Sequence, residues 1–339
     1  MKRRMISIFI LAFIAFGGTA VVHRTKSLSV QARIAANARP ITIAIAKGVL
    51  TILPVIAREK KFFESEGLNV RYTPYYASGK QSFDAMLSGS ADISTPATTP
   101  VVLKSFERND FSIFLTYTTT YRGVKIIAGK NRGIRTQSDI KGKTIGYARG
   151  TISHVIVESL LANNKIHENE IRLRDIPPEL LPEAVSAGTV DAIAVWEPLA
   201  SKASVKLRPE AVYVPTTDIY RIALNLVAMN VFIAKNPDII YRIIRAMARA
   251  EIYSRENKDE AQEIVSKVVG LDIAFVRRIW DDYVHRLVLD QQLIITMEDE
   301  AEWAINAGIT NKTEVPNYLH FIYAGALKRF RPEAVTLIK

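Results

Sequence analysis

The chain has 339 residues, 45 Lys and Arg against 34 Asp and Glu, and no cysteine, which excludes thiolate nucleophiles, Cys-ligated metal clusters and disulfide frameworks. Its length suits two domains, and a hydrophobic share of 48% with 23% charged residues is typical of a globular protein. A net charge of +11 would suggest nucleic acid or an anionic membrane surface, so the position of the charge along the chain matters.

The excess positive charge is concentrated at the N-terminus. Lys2, Arg3 and Arg4 precede an uncharged run over residues 5–22, which is the layout of an export signal. Residues 1–38 contain six Lys or Arg and no acid, so the rest of the chain carries only +5. This distribution removes most of the support for nucleic-acid binding. We predict that residues 1–38 are a signal peptide or an N-terminal membrane anchor and that the body is exported, periplasmic or at the cell surface.

The sequence leaves cleavage of this segment open. Small residues at 18–20 favour a cleaved signal, although two valines extend the apolar run beyond them. The alternative is an uncleaved helix that tethers the protein, because the run is just long enough to span a bilayer. Anchoring through a lipid-bearing cysteine is excluded.

The first part of the body alternates predicted strands with predicted helices. This alternation indicates a parallel sheet with right-handed crossovers. The predicted elements are strand 41–46, helix 50–63, strand 68–76, helix 81–87, strand 91–94, helix 100–106 and strand 111–117.

A polar stretch over residues 130–143 indicates a change of domain, and a second α/β set follows it. Its elements are strand 144–147, helix 153–163, strand 171–175, helix 181–187, strand 192–195, helix 198–203 and strand 211–214. An apolar run over 224–233 then returns, followed by helices predicted over 237–255, 258–269, 273–285 and 296–307. We predict one lobe from residues 39–126 and 225–339, a second from 127–224, and a ligand cleft at the carboxyl ends of their strands.

No enzyme motif stands out in the body. The four histidines after residue 38 show no metal-ligand spacing, and the G-x-S-x-G, G-x-x-x-x-G-K-[ST] and G-x-G-x-x-G patterns are absent. We therefore predict no catalytic residue, no metal site and no cofactor.

In several places a predicted strand is followed by a small polar residue at the start of a predicted helix. Helix N-termini present free N–H groups and partial positive charge, which suits an anion. Thr99 is predicted as an N-cap with Pro100 in the first helical position, and Glu197 as a cap before Pro198. Each residue could equally be an ordinary cap, and Trp196 an ordinary core residue. The candidates are Lys47, Gly48, Thr98, Thr99, Gly150, Thr151, Ser153, His154, Trp196 and Glu197.

Five motifs together resemble a known family. They are AREKKFFESEGL at 57–68, LSGSAD at 87–92, DIKGKTIG at 139–146, RGTISH at 149–154 and VDAIAVWEP at 190–198. The chain resembles the solute-binding proteins of ABC importers for sulfonates, taurine and nitrate, a group that includes binders of thiamine-pyrimidine precursors. The likeness runs from about residue 41 to the last helices.

The resemblance implies a type II periplasmic-binding-protein fold: two α/β lobes that close by a hinge on a ligand in the cleft between them and deliver it to a membrane permease. It implies that a small organic anion lies between helix starts at Thr98–Thr99 and Thr151–His154, with Trp196 as a wall. Asn225 lies near a polar ligand contact of some members. Lys47, Arg122 or Arg149 would add a charge-assisted bond. We expect a monomer that is not an enzyme.

Two residues depart from a simple sulfonate site, and other functions stay open. Glu197 is unfavourable beside an anion unless it receives the amine of an aminosulfonate, and Ile152 stands where a hydroxyl would suit a sulfonate. One alternative ligand is an aromatic heterocycle, a pyrimidine or flavin precursor, stacked on Trp196 or on Tyr117 and Tyr121. Another alternative is a membrane-anchored sensory domain with the same fold.

Overall fold

The computed structural model describes residues 40–214 and 220–338, so the predicted signal or anchor segment lies outside the described residues. Within them the chain forms two separate β-sheets with helices packed around each. The strands in chain order are β1 Ile41–Ala44, β2 Val70–Tyr72, β3 Ile93–Ser94, β4 Phe111–Thr120, β5 Val124–Gly129, β6 Thr144–Tyr147, β7 Arg172–Asp175, β8 Ala192–Trp196, β9 Ala211–Val214, β10 Ile222–Met229, β11 Val284–Asp290 and β12 Val335–Thr336.

The first sheet has seven strands in the order β12-β11-β4-β10-β3-β1-β2. Strands β1, β2 and β3 are parallel, as the alternating pattern predicts. Strand β10 runs antiparallel to both β3 and β4, and β11 is antiparallel to β4. The sheet is therefore mixed rather than parallel, because the strand that returns from the other lobe enters it in the opposite direction.

The second sheet has five strands in the order β7-β6-β8-β5-β9. Strand β6 is parallel to β7 and β8, whereas β5 is antiparallel to β8 and β9. We call the first sheet with its helices the first lobe and the second sheet with its helices the second lobe. The chain passes between them after Thr120 and returns between Val214 and Ile222. Each crossing lies a few residues before the corresponding predicted boundary at 126/127 or 224/225.

Thirteen α-helices occur within the described ranges, and among them none is both long and apolar enough to cross a bilayer. They are α1 Ile52–Glu59, α2 Phe62–Ser65, α3 Gly79–Leu87, α4 Thr98–Ser105, α5 Ile152–Asn163, α6 Leu181–Ser186, α7 Leu199–Lys206, α8 Asn230–Lys235, α9 Pro237–Glu256, α10 Lys258–Val269, α11 Ile273–Ile279, α12 Gln291–Asn306 and α13 Gly325–Phe330.

The long helix α9 shows how the sequence pattern builds the first lobe. Pro237 occupies its first turn, where a missing N–H costs nothing. Ile240, Ile243, Ile244 and Met247 are fully buried and recur at helical spacing, so they form one apolar stripe. This stripe packs the helix against α1 and α13. The C-terminal helices are thereby part of the first lobe's core rather than an appendage.

Two predicted helices are wrong in extent. The predicted helix 50–63 is interrupted at Lys61, which adopts a left-handed conformation (φ 54°) between α1 and α2. The predicted helix 273–285 ends at Ile279, and after one 3₁₀ turn the chain enters β11. Short apolar runs are ambiguous between helix and strand, and here pairing with β4 decides for the strand.

Candidate ligand-binding cleft

A small cavity of about 40 Å³ lies between the two lobes. A volume of this size holds only about one to three water molecules, so the two lobes lie close together at this point. The first lobe lines it with the loop after β1, the start of α3 and the loop between β3 and α4, and the second lobe with the start of α5 and the end of β8. The lining includes Lys47, Gly48, Ser78, Gly79, Lys80, Ala97, Pro100, Thr151, Ile152, Trp196 and Leu224.

Gly48 marks the closest approach of the lobes in this region. A Cβ atom on Gly48 would lie 3.0 Å from the carbonyl oxygen of Glu197 in the second lobe and 4.0 Å from Cδ1 of Trp196. Its loop is held by hydroxyls, because Thr51 donates to the carbonyl of Ala46 at 2.7 Å and Thr95 accepts from the N–H of Ala46 at 2.9 Å. A glycine at this position therefore permits the closed cleft.

The start of α3 is a part of the cleft that sequence analysis missed. Ser78 caps the helix by accepting from the N–H of Gln81 at 3.1 Å. A Cβ on Gly79 would lie 3.0 Å from Cα of Pro96, so glycine lets this helix start pack closely against the loop before α4. Lys80 lines the cavity and pairs with Asp84 at 2.7 Å. Ser78 and Gly79 precede the predicted helix 81–87, as small polar residues precede the other candidate helix starts. The same criterion would therefore have identified this segment.

The start of α4 differs from its prediction. The helix begins at Thr98 with Ala97 as its N-cap and no side-chain capping bond, so Pro100 is the third helical residue rather than the first. Ala97 and Pro100 line the cavity. The hydroxyls of Thr98 and Thr99 instead donate to Oε1 of Glu300 on α12, at 2.8 and 3.0 Å. Both hydroxyls are therefore engaged within the first lobe. The backbone N–H groups of the first turn, which have no partner within the helix, remain as donors at this end of α4.

The start of α5 is capped by a candidate hydroxyl. Thr151 is the N-cap, donating its hydroxyl to the carbonyl of Ala148 at 2.7 Å and accepting from the N–H of Ser153 at 3.2 Å. Ser153 does not line the cavity, and its hydroxyl donates to the carbonyl of Ala194 in β8 at 2.7 Å. Gly150 has a positive φ of 71° and faces the first lobe, where its Cβ would lie 3.5 Å from Cε of Lys80.

His154 lies between the lobes but outside the cavity. Its ring contacts Tyr147 with centroids 4.8 Å apart, and meets Trp303 of α12 edge to face at 5.0 Å and 85°. The N–H of Gly150 points at its Nδ1 over a long 3.5 Å. Burial, aided by Arg149, lowers the pKa of His154 to about 4. The imidazole is thus neutral near neutral pH and joins the two lobes by packing rather than by charge.

The end of β8 contributes an aromatic wall and a buried acid. Trp196 lines the cavity and is only 6% exposed. Glu197 is fully buried; its Oε2 accepts from the N–H of Ser201 at 3.0 Å, while its Oε1 has no hydrogen-bond partner. Glu197 was predicted as the N-cap of α7, but Pro198 occupies that position. Glu197 therefore caps the helix from the residue before the N-cap. Its side chain lines a separate groove on the hinge side of the lobes, and burial raises its pKa.

The remaining candidates do not line the cavity. Asn225 is buried, with its Oδ1 accepting from the hydroxyl of Thr116 at 2.7 Å. Arg122 pairs with Asp282 at 2.9 Å beside the hinge-side groove, and Arg149 lies near His154. The proposed stacking residues also differ from expectation. Tyr117 is fully buried in β4 and Tyr121 faces solvent, which leaves Trp196 as the aromatic side chain of the cavity.

The cavity is electrostatically suited to an anion. Among the described residues that line it, Lys47 and Lys80 are the charged ones and none is acidic. Helices α3, α4 and α5 begin at its walls, and each N-terminus adds partial positive charge and free N–H groups. Two lysines and three helix starts from both lobes therefore converge on one small volume.

Glu300 is a second residue that sequence analysis missed. It is 1% exposed, and its Oε1 accepts three hydroxyls, those of Thr98, Thr99 and Tyr220, the last at 2.7 Å. Its Oε2 is buried without a partner. Burial raises the pKa of Glu300 to about 7, although the three hydroxyls act in the opposite direction. A glutamate within a predicted helix carries no sequence signal for this arrangement.

Solved structures show the fold to which this architecture belongs. The periplasmic aliphatic sulphonate binding protein SsuA from Escherichia coli superposes with a TM-score of 0.71 at 17% identity, covering 85% of this chain and 98% of that one. The desulfurization enzyme DSZB superposes with a TM-score of 0.61 at 14% identity, over 86% of this chain and 100% of that one. The fold is the type II periplasmic-binding-protein fold, which carries both binding proteins and an enzyme.

Sequence comparison assigns the family. The family described as NMT1/THI5 like matches residues 51–261, which is more than half of the chain. A relative from Bacillus subtilis (strain 168), whose name refers to the binding of aliphatic sulfonates, is 25% identical over 246 residues, covering 71% of this chain and 73% of that protein. The chain belongs to the NMT1/THI5-like family.

We expect His154→Ala to weaken the closed arrangement of the lobes. The substitution removes the edge-to-face contact with Trp303, and such aromatic pairs contribute about 0.5–1.5 kcal/mol. Small-angle X-ray scattering of the ligand-free protein should then give a larger radius of gyration. His154→Phe, which keeps a ring in place, is the control and should restore most of the compactness. Identical scattering of the alanine variant and the wild type would contradict this role.

We expect Glu300→Gln to stabilise the protein at about pH 8 but not at about pH 5. Because the folded pKa of about 7 exceeds the ordinary 4.5, the folded chain binds more protons than the unfolded chain between these values. The stability associated with the neutral carboxyl is therefore complete below about pH 4.5 and lost as the pH rises through about 7, a loss on the order of 1–3 kcal/mol. Calorimetric unfolding of both proteins measures it, and equal pH dependence would refute it.

Proposed function

We propose that the protein is an extracytoplasmic solute-binding protein of an ABC importer that captures a small organic anion, of the sulfonate, taurine or nitrate kind, in the inter-lobe cleft and delivers it to a membrane permease. The observation that carries the proposal is the convergence of Lys47, Lys80 and three helix N-termini on a cavity whose described lining has no acid. The names of the sulfonate-binding relatives support the same ligand class.

The chemistry of the cleft supports a permanently ionised ligand. A sulfonate or nitrate stays charged near neutral pH, so it can be held by N–H donors at helix starts without a titrating partner. The neutral His154 and the consumed hydroxyls of Thr98, Thr99 and Ser153 leave backbone N–H groups and lysine ammonium groups as the donors. Ligand-binding roles for Lys47, Gly48, Gly150, Thr151 and Trp196 are part of this proposal.

Part of the cavity wall is apolar. Trp196, Ile152 and Leu224 line the same cavity, and apolar walls suit the alkyl part of an organic anion. The closed cavity of about 40 Å³ is smaller than such a ligand, so binding requires the lobes to separate by a few ångströms around it. Two chain crossings between the sheets leave that motion available. Binding and release without chemical change is the activity we propose, and export follows from the charged and apolar segment over residues 1–38.

A ligand panel tests the assignment. We expect alkanesulfonates of two to four carbons, taurine or nitrate to raise the melting temperature, by about 4–8 °C at one hundred times the dissociation constant. Thiamine-type pyrimidines and flavin precursors serve as the comparison class, because Trp196 would stack on them. A shift with these heterocycles alone would replace the anion by an aromatic ligand, and no shift with any anion would contradict the proposal.

We expect the two lysines of the cavity wall to contribute to ligand affinity without being needed for folding. Lys47→Gln and Lys80→Gln are each expected to weaken sulfonate binding by about three- to tenfold, since each removes a cation from the cavity wall. Lys202→Gln changes the net charge equally but lies at the hinge-side groove, and it should bind like the wild type. Isothermal titration calorimetry measures the affinities. Equal affinities of all four proteins would show that these lysines do not contact the ligand.

A further inference from the structure

We propose that Glu300 is a positioning residue that makes anion binding in the cleft take up a proton, so that the ionised carboxylate disfavours the ligand and the neutral carboxyl favours it. This inference rests on the proposed function, because it concerns the same cleft and an anionic ligand. Glu300 does not line the cavity, and it acts through the helix start that does.

The geometry links Glu300 to the cleft through the first turn of α4. Thr98 and Thr99 are the first two residues of that helix, and both donate to the same carboxyl oxygen. Ala97 and Pro100, on either side of them, line the cavity. Ala97 provides no side-chain cap, so these two hydroxyl bonds join the start of α4 to α12, while the backbone of the preceding loop is joined to β10 by the bond from the N–H of Asn225 to the carbonyl of Pro96. The carboxyl therefore lies directly behind an N-terminus that we propose as an anion donor.

The same oxygen also reaches the chain crossing between the lobes. Tyr220 stands just before β10 and donates to Oε1 of Glu300 at 2.7 Å. One atom thus joins the start of α4, helix α12 and the return of the chain into the first lobe. A change in the charge on that atom alters the bonds that hold all three segments.

The surroundings of Glu300 leave its charge uncompensated. No ion pair among the described residues includes Glu300, and its Oε2 is buried without a partner. The titratable groups facing it are Tyr220, Tyr318 and the neighbouring Asp299, with Glu298 on the same helix acting on Tyr318. Lys104 at the far end of α4 is engaged by Glu107 at 2.6 Å. A buried negative charge without a cation opposes a second negative charge brought to the front of the same helix start.

Thermodynamic linkage makes this repulsion measurable, because it couples anion binding to the protonation of Glu300. If the ionised carboxylate weakens anion binding, bound anion must in turn favour the protonated carboxyl by the same factor. Because burial raises the pKa of Glu300 to about 7, the two forms exchange within the physiological range. His154, with its pKa lowered to about 4, stays neutral over the same range and does not contribute a competing charge.

Calorimetric titration of the full chain with ethanesulfonate between about pH 5.5 and 8.5 tests the inference, since this probe remains ionised throughout. We expect the affinity of the wild type to be about three- to tenfold higher at the acid end, with net proton uptake on binding near pH 7.5 seen by comparing two buffers of different ionisation heat. Glu300→Gln keeps the acceptor oxygen and the packing but cannot ionise. It should bind with nearly constant affinity across the range and without proton uptake.

Two further variants identify the group responsible. Glu251→Gln removes another buried carboxylate of the first lobe, one that pairs with Arg331 at 2.7 Å away from the cleft, and it should keep the wild-type slope. Glu197→Gln tests the other buried acid beside the cleft. A slope that persists in Glu300→Gln, or that vanishes in Glu197→Gln instead, overturns the inference and leaves the proposed function intact. Failure of the wild type to bind ethanesulfonate at every pH contradicts the proposed function and this inference with it.

Discussion

The close approach of two sheets at the ends of their strands is the constraint on which the rest of the molecule depends. Gly48 lies against the carbonyl of Glu197 from the other lobe, and His154 meets the ring of Trp303. Between these contacts only about 40 Å³ of space is left. Because helices begin where the strands end, the same approach brings several helix N-termini to one point. The selection of an anion that we propose for the cleft is therefore a consequence of how the sheets face each other.

Most polar side chains near the cleft serve the protein itself. Thr51 and Thr151 donate to carbonyl groups of their own loops, whereas Thr95 accepts from the N–H of Ala46 and Ser153 donates to the carbonyl of Ala194 in β8. Buried backbone groups around the cleft are thereby satisfied. These bonds fix the loops and helix starts around the cavity in place. The proposed site takes its donors largely from helix starts, and such a site depends on rigid loops.

The family and the class of fold could be predicted from sequence, because both depend on local patterns. Five motifs predicted the family, and the alternation of apolar runs predicted two α/β lobes in the order found. Strand β11 was missed because the helix predicted over 273–285 ends at Ile279, and pairing with β4 holds the following residues 284–290 as a strand. The antiparallel course of β10 depends on the path of the chain between the lobes, which no local pattern records.

The sequence by itself determined the starts of α3 and α5, since capping is a local matter: Ser78 and Thr151 precede these helices and cap them as their residue types allow. Only the tertiary structure decided which of those polar groups face the cleft. Thr98 and Thr99 are turned to Glu300, which is 202 and 201 residues away along the chain respectively, and Asn225 to Thr116. A polar side chain that is hydrogen-bonded to a distant segment is turned away from the cleft. The residues next to it in the sequence do not reveal that partner.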